Sequence, residues 1–415
     1  MVSEHFQPAT HPNVPSKPRR RLSRISVATV VGVLAVGGLT GCRDGDASDA
    51  EAEIGAAKNE IALQKAMREL VQAGFPGVLV SVKGKDGKTR DYTAGVGNRE
   101  TGTAPPKNGH VRIGSNTKTF VAATVLQLVG EGTVKLDEPI DTYLPGVVEG
   151  PDYDGEKITV RNLLGHTSGL PDYTEFVDAS TATAPSRTYT AKELLSPTLR
   201  HKAVFPVGKR RQYSNTNYIV AGMLVEKVTR KPVGEAVTER VIERLGLKQT
   251  YWPEPGDRNV RKPRMEGYIA PPGGELKNAT EIDPSVSGAA GMVISTPRDL
   301  NRFFASLVGG KVVPAAQLKE MQKTVESPDE EPNTVFGLGL DKITLSCTAM
   351  WGHGGDIHGY ETRGGVTSDG REVTVAVNAL PGAIISKQDS MEAMTKEAIQ
   401  KIEQVTNLVD TAICG

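Results

Sequence analysis

The sequence predicts an α+β protein whose single sheet is assembled from both ends of the chain, and three observations predict it. Strand patterns occur near the N-terminal end at 78–82 and 90–96, and again from Val335 onward, notably at 361–366 and 372–379. Helical patterns lie before, between and after these strands. The 415 residues, 38% of them hydrophobic, are enough to bury one large core or two ordinary ones.

The first 42 residues have the features of an export signal. Three arginines, Arg19 to Arg21, precede an apolar run from about 25 to 39 that is too short and too rich in glycine to span a membrane stably. The run ends in Leu39-Thr40-Gly41-Cys42, which resembles the lipobox of bacterial lipoproteins. We therefore expect residues 1–41 to be a lipoprotein signal peptide and Cys42 to be lipidated. The mature protein would be anchored to the cell membrane and face outside the cytoplasm.

Two alternatives stay open at this end of the chain: an ordinary signal peptide with a chance cysteine, and a short N-terminal anchor. Each of them also exports the protein, and the export route is left open. Residues 42–51 are mostly acidic and small, as in a flexible tether, and we expect this segment to be disordered.

The first elements of the folded region follow from apolar spacing and turn residues. Apolar residues at helical spacing between 51 and 73 predict an amphipathic helix. The strand patterns at 78–82 and 90–96 flank Asp86-Gly87, a pair typical of a hairpin turn. A helical pattern at 119–131 places Ser115 near a helix N-terminus.

Later elements alternate helix and strand signals. Two helical patterns, at 221–229 and 234–244, are followed by strand character near 291–294. A helix should begin at Pro297, and a final helix is predicted at about 390–409.

These elements predict two domains that form one functional unit. Residues 52–135 and 289–415 would form an α/β domain. Residues 136–288, where Pro and Gly interrupt the helical patterns, would form a mainly helical domain.

Charge and metal-ligand content argue against two classes of function. Lys plus Arg equals Asp plus Glu at 49 each, which gives no reason to expect nucleic acid as a partner. The seven histidines and three cysteines lack the spacing of a zinc site. We expect no metal and no cofactor.

Three short motifs occur in a fixed order: Ser115-Asn116-Thr117-Lys118, Tyr213-Ser214-Asn215 and His353-Gly354-Gly355. A Ser-x-x-Lys pair alone is expected about once by chance in a chain of this length. Together the motifs describe a serine acyl-transfer site and resemble the signature of the serine β-lactamase and penicillin-binding-protein superfamily. The Tyr-x-Asn motif and the third-motif histidine are similar to the branch of class C β-lactamases, D-alanyl-D-alanine carboxypeptidases and related esterases.

The resemblance covers roughly Leu63 to Val409 and includes the loop signature from Leu163 to Leu170. It implies a β-lactamase/DD-peptidase-like fold, in which an antiparallel sheet flanked by helices lies beside an all-helical domain. The active site of such a fold lies between the two parts.

Each residue of the first two motifs has an expected role. Lys118 lies one helical turn after Ser115, so its amine can reach Ser115 Oγ and take its proton. A base must be partly neutral, which burial and a neighbouring positive charge would favour by lowering the pKa of Lys118. By resemblance, Tyr213 would exchange protons with the nucleophile and the leaving amine, and Asn215 would hydrogen-bond the substrate amide.

The third motif is expected on a strand that borders the cleft, where Gly354 and Gly355 would leave room for the substrate backbone. His353 would supply a positive or hydrogen-bonding group opposite Tyr213. By motif match, the backbone N–H groups of Ser115 and Asp356 form the oxyanion hole. An acidic side chain at 356 is unusual beside a carboxylate substrate, because like charges repel.

Two cysteines remain beyond Cys42, and in an oxidising compartment Cys347 and Cys414 are expected to form a disulfide; two free buried thiols are the alternative. His166, inside the loop signature, is expected to be structural. Ser168 is the rival nucleophile, but it lacks the Gly-x-Ser-x-Gly elbow and a nearby lysine.

We therefore predict an extracytoplasmic serine hydrolase in which Ser115 forms an acyl-enzyme that water cleaves. The first prediction for its substrate is a peptidoglycan peptide ending in D-Ala-D-Ala, with β-lactams as covalent ligands. The alternatives are an esterase or D-amino-acid amidase acting on a small acyl substrate, a β-lactamase, or a non-catalytic lipoprotein that binds penicillin or peptidoglycan.

Overall fold

The computed structural model describes residues 45–177, 187–327, 333–388 and 390–415, with side chains from residue 58 onward. The predicted signal peptide, the lipidation site Cys42 and the first residues of the predicted tether lie outside the described residues. None of the helices in the described ranges combines the length and the apolar character needed to cross a membrane.

Thirteen strands are distributed over the described ranges. Their bounds are β1 Gly77–Lys83, β2 Thr89–Gly95, β3 Val111–Arg112, β4 Tyr268–Ile269, β5 Lys277–Asn278, β6 Ile294–Ser295, β7 Val325–Glu326, β8 Thr334–Phe336, β9 Asp341–Thr344, β10 Ala349–Gly352, β11 Gly355–Ile357, β12 Tyr360–Thr367 and β13 Glu372–Val377.

Ten α-helices accompany them, joined in places by short 3₁₀ turns. Their bounds are α1 Gly45–Gln72, α2 Asn116–Gly130, α3 Val160–Leu164, α4 Ala191–Thr198, α5 Thr216–Thr229, α6 Val233–Val237, α7 Gly288–Gly291, α8 Pro297–Val308, α9 Ala315–Met321 and α10 Met391–Cys414.

The main sheet has the order β2-β1-β13-β12-β10-β9-β8-β7, and β11 pairs with β12 beside this path. All of its pairings are antiparallel, so the predicted α+β fold class is confirmed. Strands from the two ends of the chain meet where β1 pairs with β13. The predicted hairpin is formed by β1 and β2.

Helices cover both faces of the sheet. Helices α1 and α10 pack on one face, where their leucines and valines meet the valines of β1 and β13. Helix α8 packs on the other face, against β1, β12 and β13. The sequence predicted the start of α8 correctly, since Thr296 Oγ1 accepts a hydrogen bond from Asp299 N and Pro297 is the first helical residue.

Helix α1 begins at Gly45, within the segment 42–51 that the sequence predicted to be a disordered tether. That prediction is wrong from Gly45 onward. The segment Ala47 to Ala57 is rich in alanine and glutamate, which are strong helix formers, and Asp46 and Asp49 suit a helix N-terminus. Helix propensity therefore outweighed the polar, tether-like composition on which the prediction was based.

The regular structure within 136–288 is chiefly helical, with α3, α4, α5 and α6, although loops make up most of the region. It also contains the short β4–β5 hairpin, and Tyr268 of β4 forms a bridge with Ala379 just beyond β13. The helix predicted at 234–244 is α6 followed by a π-helical turn at Thr238–Glu243. Strand β6 begins at Ile294, later than predicted, because α7 occupies Gly288–Gly291.

Helix α2 lies at the centre of the molecule. It packs against α5, α7 and α9, and every residue from Asn116 to Leu128 is buried. One apolar core runs from Leu79 in the sheet through α2 to Leu224 in α5. The first turn of α2, which carries Ser115, is therefore held from both the sheet side and the helical side.

Candidate active site

Ser115 lies immediately before α2, in the tight turn that joins β3 to this helix. Gly114 has a φ of +47°, and a Cβ atom there would lie 2.8–2.9 Å from the backbone of Asp356. Asn116 Nδ2 donates to Ile113 O at 2.9 Å and to Thr362 Oγ1 at 2.8 Å. These contacts fix the turn against β11 and β12 while Ser115 itself stays partly exposed.

Lys118 is fully buried one turn further along α2. Its Nζ lies 2.9 Å from Ser115 Oγ and donates to Asn215 Oδ1 and Ala290 O, each at 2.8 Å. Burial lowers the pKa of Lys118 to about 7, so a large fraction of the amine is neutral near neutral pH. The charges that act on Lys118 are the carboxylates of Asp172 and Asp356, which oppose this lowering, so burial alone accounts for it.

Tyr213 approaches the nucleophile from the other side of the cleft. Its Oη donates to Ser115 Oγ at 2.7 Å, and its ring lies 4.9 Å from Lys118 Nζ. Burial raises the pKa of Tyr213 well above its usual value, so the phenol keeps its proton at neutral pH. With the phenol protonated and Lys118 partly neutral, the amine is the better acceptor for the proton of Ser115.

Asn215 bridges Lys118 to a carboxylate that the sequence analysis did not identify. Its Oδ1 accepts from Lys118, while its Nδ2 and its backbone N both donate to Asp172 Oδ2 at 2.8 Å. The structure thus places Asn215 against the base. The role predicted for it in binding the substrate amide stays a prediction.

His353 is buried between β10 and β11, with 6% of its surface exposed. Its Nδ1 donates to Gly354 O at 2.5 Å, and its Nε2 lies 3.8 Å from Asp341 Oδ2. Burial lowers the pKa of His353 to about 3, so the imidazole is neutral over the physiological range. Of the two roles expected for His353, only that of a neutral hydrogen-bonding group fits this environment.

The two glycines of the third motif make room for neighbouring parts of the protein. A Cβ at Gly355 would meet Ile113 O and lie 2.6 Å from Asn116 Nδ2, so this glycine lets β11 close onto the nucleophile turn. A Cβ at Gly354 would lie 3.1 Å from Arg363 Nη1. Their predicted contact with substrate stays a prediction.

Asp356 follows Gly355 on β11, and its side chain is 55% exposed. It pairs bidentately with Arg363, with N–O distances of 2.7 and 3.2 Å, and Arg363 Nη2 also contacts the fully buried Glu361 at 2.9 Å. Glu361 lies directly opposite Asp356 in the β11–β12 register. One guanidinium thus contacts two carboxyl groups, of which only that of Asp356 is exposed.

The first and third motifs meet at the position where the sequence predicts the oxyanion hole. Among the described residues, no hydrogen bond uses the N–H of Ser115, which lies at the positive end of the α2 dipole. The backbone of Asp356 lies against Gly114, the residue before the serine. The predicted use of the Ser115 and Asp356 N–H groups as oxyanion donors stays a prediction.

Two residues of the loop signature, His166 and Ser168, hold the loop that carries the second motif. The ring of His166 stacks on Tyr213 with centroids 4.5 Å apart, and its Nδ1 accepts from Ser214 N at 3.2 Å. Burial lowers the pKa of His166 well below its usual value. Ser168 is fully buried and donates to Asn217 Oδ1, so it cannot reach a substrate. Both residues hold the loop that carries Tyr213.

Within the described ranges, no group of three or more His, Cys, Asp or Glu side chains is arranged to hold a metal ion. Cys347 and Cys414 form a disulfide that joins the loop before β10 to the C-terminal end of α10. Asp172 could have been suspected from its place two residues beyond the loop signature. Arg363 carries no motif signal, because only the β11–β12 register brings it to the site.

Comparisons with known proteins agree with this geometry. A family model described as Beta-lactamase matches residues 63–383. A solved structure of a D-stereospecific amidohydrolase from Streptomyces sp. has a TM-score of 0.71 and 38% identity, covering 81% of this chain and 97% of that one. A D-amino acid amidase from Ochrobactrum anthropi SV3 has a TM-score of 0.71 and 26% identity, covering 86% and 99%.

Curated relatives give a similar result. Penicillin-binding protein 4 of Amycolatopsis lactamdurans is 26% identical over 307 residues, which are 69% of this chain and 72% of that protein. The first curated relatives are covered over only 27% to 43% of their own length. The family match spans more than half of the chain and includes all three motifs, as the sequence predicted. The chain therefore belongs to the Beta-lactamase family and is a serine hydrolase of the superfamily that includes the penicillin-binding proteins.

Proposed function

We propose that the protein hydrolyses an amide bond next to a D-amino acid, through an acyl-enzyme on Ser115. The observation that carries the catalytic part is the position of Ser115 Oγ, which lies 2.9 Å from Lys118 Nζ and 2.7 Å from Tyr213 Oη. A nucleophile between a base and a protonated phenol is the arrangement that acyl transfer needs.

The steps follow from these contacts. Ser115 Oγ attacks the carbonyl carbon while its proton passes to neutral Lys118, and the N–H groups of Ser115 and Asp356 stabilise the oxyanion. When the C–N bond breaks, Tyr213 donates its proton to the leaving nitrogen and recovers one from Lys118. Water then attacks the acyl-enzyme, with the same groups acting in reverse, and releases the acid.

The amide substrate is favoured over a peptide with a free C-terminal carboxylate because of the charge beside the oxyanion site. The carboxylate exposed there is that of Asp356, whose side chain is 55% exposed. A free α-ammonium group on the substrate would be attracted to it, and a carboxylate would be repelled. The similarity to a D-stereospecific amidohydrolase and a D-amino acid amidase supports the same choice.

The D-Ala-D-Ala carboxypeptidase of the sequence analysis is the second candidate. The Tyr-x-Asn motif and the similarity to penicillin-binding protein 4 favour it. In that case Arg363 would have to release Asp356 in order to bind the terminal carboxylate, which the bidentate pair opposes.

Four substrates separate the two candidates: D-alanine amide, N-acetyl-D-alanine amide, D-Ala-D-Ala and N-acetyl-D-Ala-D-Ala. We expect kcat/KM to be highest for D-alanine amide and to fall when the amine is acetylated or a carboxylate is introduced. L-alanine amide and the Ser115→Ala variant are the controls. Fastest turnover of N-acetyl-D-Ala-D-Ala would refute the amidase and favour the carboxypeptidase.

The Asp356→Asn variant tests the origin of the preference. The backbone N–H stays in place while the charge is removed, so the ratio of kcat/KM between D-alanine amide and its N-acetyl form should fall by about ten-fold. An unchanged ratio would mean that Asp356 does not select the amine.

Incubation with benzylpenicillin, followed by intact-mass measurement, tests the remaining alternatives. A lasting adduct on the wild type and not on Ser115→Ala would support a penicillin-binding peptidase. Rapid loss of penicillin without an adduct would indicate a β-lactamase. No reaction would leave the amidase or an esterase.

We also propose that the protein is an extracytoplasmic lipoprotein anchored through Cys42, on the basis of the sequence Leu39-Thr40-Gly41-Cys42. Radiolabelled palmitate fed to cells should be incorporated into the wild type and not into Cys42→Ala. Equal labelling of both proteins would refute the anchor.

A further inference from the structure

We infer that Asp172 is a positioning residue of the active site: it orients the amide of Asn215 so that neutral Lys118 directs its lone pair, rather than an N–H, at Ser115. The inference rests on the proposed use of Lys118 as the base that activates Ser115. It concerns a residue outside the three motifs.

Asp172 has two oxygens with separate tasks. Its Oδ1 accepts from Thr174 N at 2.9 Å and from Thr174 Oγ1 at 2.8 Å, which caps the 3₁₀ turn at Tyr173–Glu175. Its Oδ2 accepts from Asn215 N and Asn215 Nδ2, each at 2.8 Å. A carboxylate with two donors on each oxygen acts only as an acceptor.

This contact decides which way the Asn215 amide points. An asparagine side chain can rotate by 180° and exchange its donor for its acceptor with little change in shape. Because Asp172 Oδ2 can only accept, it selects the orientation in which Nδ2 faces it. Asn215 Oδ1 is then left facing Lys118 Nζ at 2.8 Å.

The amide orientation in turn decides the direction of the Lys118 lone pair. A neutral amine has two N–H groups and one lone pair, and three oxygens lie within 2.9 Å of Nζ. Asn215 Oδ1 and Ala290 O are carbonyl oxygens and must receive the two N–H groups. The lone pair is left for Ser115 Oγ, whose proton it can accept.

The reversed amide would spoil this arrangement. Asn215 Nδ2 would then donate to the lone pair of Lys118, and an N–H would be directed at Ser115 Oγ. The amine would compete with Tyr213 to donate to the nucleophile and could not take its proton. Asp172 therefore prevents an inactive hydrogen-bond arrangement that has nearly the same shape as the active one.

A fluorophosphonate tests the inference without reference to the substrate. It reacts with an activated serine as the Oγ–P bond forms, fluoride leaves and the serine proton passes to the base. The second-order rate constant is measured by intact mass between pH 5 and pH 10. Asp172→Ala should lower it by about 100-fold, because the amide is no longer oriented.

Asp172→Asn separates the orientation from the charge. The new amide can still present an oxygen to Asn215 Nδ2, so the plateau rate should fall by less than about ten-fold. Its missing charge should move the acid limb of the pH profile to lower pH, since the Asp172 carboxylate raises the pKa of Lys118. The titratable groups near Lys118 that this profile must take into account are Asp172, Asp356, Tyr213, Tyr218, His166 and His353.

Thr174→Val is the matched control, because it removes a donor from the other oxygen of the same carboxylate. Its rate should stay within about three-fold of the wild type. Folded Asp172→Ala reacting at the wild-type rate would overturn the inference. If Asp172→Ala fails to fold, Asp172→Ser takes its place, because its shorter side chain stays polar but no longer reaches Asn215 Nδ2. A folded Asp172→Ser that reacts at the wild-type rate would then overturn the inference.

The outcomes also distinguish this inference from the proposed function. A wild type that reacts with the probe but cleaves none of the four alanine substrates refutes the amidase and the carboxypeptidase, and leaves the role of Asp172 to be decided by the variants. A wild type that does not react refutes both proposals, because Ser115 would then not be activated.

Discussion

On the face of the sheet that meets α1 and α10, β1 and β13 present Val78, Val80, Val375 and Val377, all buried. On the face that meets α8, the same strands present polar residues beside the apolar Leu79 and Ala376. Ser81 and Thr374 are buried there, Thr374 Oγ1 donates to Asn301 Oδ1 at 2.7 Å, and Asn301 Nδ2 donates to Ser81 O at 3.0 Å.

The polar pattern continues from this inner face into the active site. Thr362 on β12 accepts from Asn116, which adjoins Ser115, and Lys118 is bonded to Asn215 and Ala290. Apolar contacts stabilise a fold without fixing direction, whereas hydrogen bonds between buried groups fix the angles between them. We expect the outer layer, where α1 and α10 pack on the sheet, to contribute mainly to stability. The inner layer, which consists of the α8-facing side of the sheet and the first turn of α2, should mainly fix the positions of the active-site groups.

The largest effect is expected from Lys118→Met, which should change activity and stability in different directions. Lys118→Met should lower kcat/KM by about 10³-fold or more, because it removes the base. The midpoint of thermal unfolding should stay equal or rise, because a buried amine is replaced by an apolar chain of similar length. Steady-state kinetics and a thermal melt of the same preparation measure both quantities.

The double variant with Ser115→Ala is the control for this prediction. Two residues that act as a unit should lose little more together than each loses alone. Additive losses would contradict the assignment of Lys118 as the base of Ser115.

The disulfide belongs to the outer layer, because Cys414 ends α10. Replacing Cys347 and Cys414 by serine opens a loop with a sequence separation of 67 residues and should lower the free energy of unfolding by about 4 kcal/mol. Activity well below the unfolding transition should change by less than about two-fold. Denaturant unfolding checks the prediction, and a loss below about 1 kcal/mol would show that α10 is held by packing alone.

A packing variant of α10 should have a slightly smaller effect on stability. Leu408 is 1% exposed in the outer core, and Leu408→Ala should cost about 3 kcal/mol without changing kcat/KM. Ile402 on the same helix is 40% exposed, so Ile402→Ala should stay within about 0.5 kcal/mol of the wild type. Loss of activity in folded Leu408→Ala would contradict the claim that the outer layer contributes to stability and not to the positions of the active-site groups.

The sequence predicted the outer layer well, because its strands and helices follow local patterns. The first two motifs, which are local patterns too, named residues that the structure brings together. Alternating valines indicate β1 and β13, and Ser390 caps α10 at the predicted start. The start of α1 was misjudged because a polar composition was weighed more heavily than helix propensity.

The parts of the site that the sequence did not predict depend on contacts between distant residues. Asp172 meets Asn215 across 43 positions, and Arg363 meets Asp356 only through strand register. The sequence did not place the carboxylates of Asp172 and Asp356 near Lys118 for the same reason, since they come from other parts of the chain. Motif spacing identifies which residues take part, but it gives no information on what surrounds them.

The smallest expected effect is the dependence of kcat/KM on pH, which reports on the inner layer alone. Lys118 must be neutral to act as a base, so kcat/KM should rise through an acid limb with a midpoint near the pKa of about 7. The buried His353, whose pKa burial lowers to about 3, stays neutral across this limb, and burial lowers the pKa of His166 as well. Asp356→Asn should move the midpoint to lower pH, because the Asp356 carboxylate raises the pKa of Lys118.

Stability should respond to the same amine in a different pH window. The pKa of Lys118 is about 7 in the folded protein and near 10.5 in the unfolded chain, so the unfolded state binds the extra proton between these values. The free energy of unfolding of the wild type, measured relative to Lys118→Met, should therefore rise by up to about 1.4 kcal/mol per pH unit from pH 7 toward pH 10. Leu408→Ala, which alters the apolar layer alone, should show the same pH dependence as the wild type. A flat difference between wild type and Lys118→Met would mean that the amine titrates alike in both states, and the acid limb of activity would then belong to another group.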